Sequence, residues 1–149
     1  MIGAVLAVLL CSACSAAGDR SISTKMEGGE VRVIVRHVRN AENLNIRGVA
    51  VYGEVIVKSD WRLRSVDLGC IFLLADGTRS LKPYVDSVAH VMTNSYPADK
   101  DGIVRAKLYW VFPGRDITEV EPNSLMLTFD QSHDPCLKRE TAPLAGKEQ

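Results

Sequence analysis

The sequence predicts an all-β protein, built as a single antiparallel β-sandwich with one disulfide. Three observations carry that expectation. Apolar residues recur at every second position in five segments between residues 31 and 129, the pattern of half-buried strands. Turn-forming clusters rich in Gly, Pro, Asp and Asn separate those segments. Two cysteines, Cys70 and Cys136, fall within the same stretch and read as one bridge in an exported chain.

Taken in chain order, "VRVIVRHV" sets Val31, Val33 and Val35 on one face, with Arg32 and Arg36 on the other. "GVAVYGEVIVKS" aligns Val49, Val51, Val55 and Val57 against Ala50, Tyr52, Glu54 and Lys58. "SVDLGCIFLL" aligns Val66, Leu68, Cys70, Phe72 and Leu74. Asp76-Gly77 then signals a tight hairpin. "KPYVDSVAHVM" fits a helical face of Tyr84, Val88, Val91 and Met92, but a strand suits its neighbourhood better. "GIVRAKLYWVF" alternates most cleanly, with Val104, Ala106, Leu108, Trp110 and Phe112 against Arg105, Lys107 and Tyr109. "NSLMLTFD" adds Leu125, Leu127 and Phe129, and "PADKDG" and "PGRD" are turns.

About five to seven strands at this spacing make an immunoglobulin-like arrangement the expected form of the sandwich. The core Trp that follows the first Cys in true immunoglobulin domains is missing, because Trp110 lies far beyond Cys70. The likeness is therefore one of architecture. A lipocalin-type barrel is the alternative, disfavoured by a shortage of long strands.

Residues 1–17 carry no charge and include an apolar run over 2–10. That run is short of the ~20 residues a bilayer-spanning helix needs and matches a secretory h-region, although no Lys or Arg follows Met1. The stretch Leu10-Cys11-Ser12-Ala13-Cys14 resembles the lipobox of bacterial lipoproteins, with Cys11 where a Leu is usual. The resemblance implies cleavage before Cys14 and acylation of Cys14. With Ser15 rather than Asp following, it also implies an outer-membrane protein facing the periplasm. A cut after Ser15-Ala16-Ala17 is the alternative and would release a soluble exported protein. The expected organisation is a signal peptide over 1–13, a flexible tether over 14–29, the sandwich over 30–136 and a disordered tail over 137–149.

Lys plus Arg and Asp plus Glu both number 18. A domain that binds duplexes shows a marked basic excess, so nucleic acid is not an expected partner. "DQSHDPC" brings Asp130, His133 and Cys136 to three-residue spacing, a zinc- or copper-like pattern. A disulfide at Cys136 removes its thiolate, so no metal is expected. Asp86, Ser87 and His90 are close in sequence but lack the glycine-flanked turn of a nucleophile elbow. Glu54, Asp67, Asp86 and Asp130 could supply a carboxylate pair, yet no spacing selects one. Neither an enzyme nor a cofactor is expected.

Surface chemistry is the remaining lead. In "SDWRLR", Trp61 and Leu63 alternate with Arg62 and Arg64, and Trp and Arg are the types enriched at binding hot spots. The plainer reading sends Trp61 and Leu63 into the core and leaves the arginines solvated. "YPADKDG" offers Tyr96, Asp99, Lys100 and Asp101 on a polar loop. The resulting expectation is a periplasmic lipoprotein, held to the membrane by its lipid alone, that binds a protein partner. It would be an inhibitor or immunity protein for an envelope-acting protein. Alternatives are an accessory subunit of an envelope or secretion assembly, and a small enzyme or metal carrier using His133.

Overall fold

The computed structural model describes residues 19–26, 28–41, 46–86, 95–130 and 136–140. The leader with Cys14, and Ser87, His90 and His133, lie outside the described residues. Within them the protein is mostly antiparallel β-strand, with short 3₁₀ turns. The strands are β1 (Arg20–Met26), β2 (Gly29–Asn40), β3 (Gly48–Ser59), β4 (Leu63–Val66), β5 (Ile71–Ala75), β6 (Thr78–Arg79), β7 (Tyr84–Val85), β8 (Tyr96–Pro97), β9 (Val104–Pro113), β10 (Met126–Phe129) and β11 (Leu137–Arg139).

Three sheets share one hydrophobic core. The largest has the order β1-β2-β3-β9-β7, and the two small ones run β10-β5-β6 and β11-β4-β8. The alternating residues of β2, β3 and β9 supply one side of the core: Val31, Val33, Val35, Val49, Val51, Val55, Val57, Val104, Ala106, Leu108, Trp110 and Phe112. Leu63, Val66, Leu68, Ile71, Leu73, Leu125 and Leu127 of the small sheets belong to the same cluster. Each such Val or Leu contributes ~1.5–3 kcal/mol relative to exposure.

The small sheets are two halves of one interrupted ladder. β4 and β5 are joined by a 3₁₀ turn at Leu68–Cys70, and β11 and β10 pair antiparallel with them respectively. Where the ladder breaks, the Asp130 amide donates to the Cys70 carbonyl and the Asp67 amide to the Cys136 carbonyl, both at 2.7 Å. The Cys70–Cys136 disulfide closes the same gap.

That 3₁₀ turn corrects one expected face. Asp67 caps it, its carboxylate accepting the Gly69 amide at 2.9 Å. The turn shifts the side-chain phase, so the shared core takes Ile71, Leu73 and Ala75, while Leu74 is half-buried and Phe72 is buried outside that cluster beneath Arg79. Two expected boundaries also differ. Arg20–Met26, assigned to the tether, is a strand paired with β2 along its whole length. Its Ile22 and Met26 pack on the core, while Ser21, Ser23 and Lys25 face out, and pairing at a sheet edge satisfies its backbone. Leu137–Arg139, assigned to the tail, pairs with β4 because the bridge at Cys136 delivers the chain to that edge. Residues 141–149 lie outside the described residues.

The Asp76-Gly77 hairpin forms as the dipeptide requires. Both residues have positive φ, 49° and 77°, the conformation a two-residue hairpin of primed type demands, and Leu74 and Ala75 pair with Arg79 and Thr78. Trp110 ties the large sheet to the interrupted ladder: its indole Nε1–H donates to the Ile71 carbonyl at 2.9 Å, wholly inside the core.

Candidate functional site

The two segments singled out for partner contact meet at one end of the molecule. Ser65 and Val66 of β4 pair with Pro97 and Tyr96 of β8. The Ala98 amide donates to the Arg64 carbonyl at 2.9 Å, and the Leu63 amide to the Gly102 carbonyl at 3.2 Å. Strand alternation then sorts the side chains. Leu63 is buried, Trp61 lies half-buried against the core, and Arg62 and Arg64 are exposed. The arrangement matches the plainer reading for the first two residues and leaves the guanidinium groups on the surface. Arg62, Leu63, Arg64, Ala98, Asp99 and Glu140 line a shallow open cleft between strand and loop.

The loop that forms the other wall is closed by its own hydrogen bonds. Asp99 Oδ1 accepts the Asp101 amide at 2.8 Å and the Ile103 amide at 3.1 Å, and the Gly102 amide closes the turn on the Asp99 carbonyl at 3.0 Å. The Ile103 amide is the main reason the Asp99 carboxyl titrates below its ordinary value. Gly102 has φ 76°, and a Cβ there would stand 2.4 Å from Arg62 Cγ. Arg62 also donates to the Lys100 carbonyl. Lys100 and Asp101 are exposed at the tip.

Trp61 is fixed from below and above. Below it lies Gly28, where a Cβ would come within 2.2 Å of the ring. Above it the Arg139 guanidinium sits 3.3 Å from the ring centroid, a cation–π contact. The Trp61 Nε1–H is buried and has no acceptor among the described residues. The sequence offered no signal for the Arg139 contact, because it depends on β11 pairing with β4.

A second feature lies on the outer face of the large sheet. His37, Tyr52, Tyr109 and Tyr84 occupy facing positions on β2, β3, β9 and β7 and form a four-ring ladder, with centroids 4.6, 5.3 and 5.3 Å apart. Burial and the neighbouring tyrosines push the Tyr109 hydroxyl up to about 12. Burial, aided by Arg39, holds the His37 imidazole below its ordinary value. Ala50 and Val111 beside the ladder are buried together with Ala41. The polar-face tyrosines Tyr52 and Tyr109 were visible in the alternation, but only strand register reveals that they stack.

Of the carboxylates considered for catalysis, Glu54 and Asp86 line one shallow cleft and Asp67 and Asp130 another, and three of the four have partners within the fold. Glu54 pairs with Arg36 at 3.0 Å and Asp130 with Arg79 at 3.2 Å, while Asp67 caps the 3₁₀ turn. Asp86 follows β7, where its amide donates to the Lys107 carbonyl. Among the described residues no group of three or more His, Cys, Asp or Glu side chains is placed to hold a metal. No helix among them is long and apolar enough to cross a membrane. Comparison with known proteins finds no matching family model, no matching curated protein and no matching solved structure.

Proposed function

We propose that this chain is an exported binding protein, anchored through a lipid on Cys14, that contacts a protein partner with its Trp61–Arg64 end. One observation carries the reading: a Trp- and Arg-bearing segment and a Tyr-bearing charged loop, distant in sequence, are pinned together by β4–β8 pairing on one exposed face. An aromatic anchor flanked by exposed arginines is the composition of a binding hot spot. The disulfide is consistent with an oxidising compartment, and the lipobox-like leader gives the route there. Within that class the proposed role is an inhibitor or immunity protein for an envelope-acting protein. The loop bearing Lys100 and Asp101 would be the element presented to it.

The fold reading behind this proposal is a two-layer β-sandwich of immunoglobulin-like kind. Its support is the shared core between the large sheet and the interrupted ladder. The strand order departs from the immunoglobulin plan, since β1, β2 and β3 form a consecutive meander in one sheet. The proposed likeness is one of layers, not of topology.

Site-specific photo-crosslinking in the native envelope tests the functional reading. A crosslinker at Lys100 is expected to trap one discrete protein, while one at Thr118, exposed on a different loop, traps none. The same products from both positions, or none from Lys100, would overturn it.

A further inference from the structure

The face just described is already occupied by the chain's own C-terminal residues. Arg139 stacks over Trp61. The next residue, Glu140, sets its carboxylate 2.7 Å from Arg62 Nε and donates its amide to the Arg62 carbonyl at 3.0 Å. An extended backbone, a cation and then an acid thus fill successive subsites along the edge of the segment leading into β4. Leu137 packs against the core, and the residues beyond it are lightly held. β11 is three residues long, its register slips between Lys138 and Arg139, and Lys138, Arg139 and Glu140 are all exposed. Surface ion pairs and exposed cation–π contacts are each weak, because solvent screens them and long side chains lose freedom to make them.

The fit is also incomplete. The Trp61 indole N–H stays buried beneath its cover with no acceptor among the described residues, and an unmet buried donor is costly. Arg64, exposed on the same strand, has no ion pair among the described residues. The nearby Asp99 carboxylate accepts its own loop amides through Oδ1 and pairs with Arg105 through Oδ2 at 3.7 Å, so Glu140 is the acid in direct contact with Arg62.

We infer that residues 137–140 are a built-in mimic covering the docking edge. The partner presents an extended protein segment in which a basic residue is followed by an acidic one, and this segment replaces Arg139 on Trp61 and Glu140 on Arg62. The inference rests on the reading of this face as the contact surface and adds the chemistry of what binds there. The cover lifts from a fixed point: Cys136 remains tied to Cys70 by the bridge and to the Asp67 amide by its carbonyl, so β11 leaves β4 while the β5–β10 half of the ladder stays paired.

The test uses the full chain and a fluorescein-labelled, N-acetylated peptide, Leu-Lys-Arg-Glu-Thr, the order found at 137–141. The native chain competes with the peptide through its own segment, which lowers apparent affinity by the fraction of chains left open. A double variant, Arg139→Ala with Glu140→Gln, weakens the cover and is expected to bind the peptide about tenfold more tightly than the native chain. Adding Arg62→Glu is expected to abolish that binding, and Gln in place of Glu in the peptide to weaken it. Equal affinity for native chain and double variant, no binding to the variant, or binding indifferent to Arg62→Glu would overturn the inference. Near-UV circular dichroism verifies that the double variant is folded. Should it unfold, Glu140→Gln alone is read by the same criteria. Because the peptide assay needs no cellular partner, its outcome is independent of the crosslinking result.

Discussion

Trp110→Phe isolates the bond that joins the large sheet to the interrupted ladder. The Ile71 carbonyl points away from β10, and the indole N–H at 2.9 Å is the donor that meets it. Trp110 is wholly buried, so phenylalanine leaves that carbonyl in a dry core. An unmet buried acceptor costs ~1–3 kcal/mol. The smaller ring gives up apolar contact and leaves a void, adding ~1 kcal/mol. The combined loss is ~2–4 kcal/mol, a fall in Tm of roughly 10 °C for a domain of this size. Urea unfolding followed by far-UV circular dichroism at neutral pH measures the loss directly, and an unchanged m-value identifies it as stability rather than altered compactness. A loss below ~1 kcal/mol would refute the reasoning, because it would mean the Ile71 carbonyl finds water or another donor without the indole.

Replacing both cysteines, Cys70→Ala with Cys136→Ala, opens a loop of sequence separation 66 and is expected to remove ~4 kcal/mol in the chain-entropy account; urea midpoints of the variant and native chains measure it. Gly28→Ala places a methyl group 2.2 Å from the Trp61 ring at a φ of +74°. It should cost ~2 kcal/mol and shift the Trp61 fluorescence, both read in one thermal scan. The Tyr109 hydroxyl, raised to about 12 by burial, stays neutral in the fold where an unfolded chain's tyrosine ionises near 10. Its contribution is therefore complete below pH 10 and lost as pH rises toward 12, and Tyr109→Phe should flatten that part of a Tm-against-pH curve. The His37 imidazole is depressed, so its contribution is present above its ordinary value of 6.5 and lost as pH falls below it; His37→Gln should reduce the acid-side slope of the same curve.

The long strands were legible because period-two alternation translates directly into a buried face, and β2, β3 and β9 bury the residues their alternation selects. Leu74 is half-buried and Phe72 is buried outside the main core because a capped 3₁₀ turn resets the phase, and nothing in "VDLGC" distinguishes that turn from two more strand residues. β1 was hidden by its composition: "RSISTKM" has only Ile22 and Met26 to bury, and its order comes from a neighbouring edge rather than from its own pattern. The residues of the candidate site were legible as types, Trp and Arg on one segment and a charged loop on another. Their meeting was not, since it is set by the pairing of two-residue strand β8 with β4. The cover by Arg139 and Glu140 was further still from view, because a bridge between distant cysteines delivers those residues to Trp61.

The early start of β1 has a geometric consequence for an anchor at Cys14. Only residues 15–19 would separate the acylated cysteine from Arg20, the first residue of the sheet. Fully stretched, such a leash spans ~20 Å, so the domain would stand close over the bilayer. β1 then runs seven residues from Arg20 to Met26, ~20 Å along its axis. Its far end leads to Gly28, on which Trp61 rests. A chain tethered in this way would hold its Arg20 end toward the lipid and lift the Trp61–Arg64 face to the height of a second protein approaching from the aqueous side.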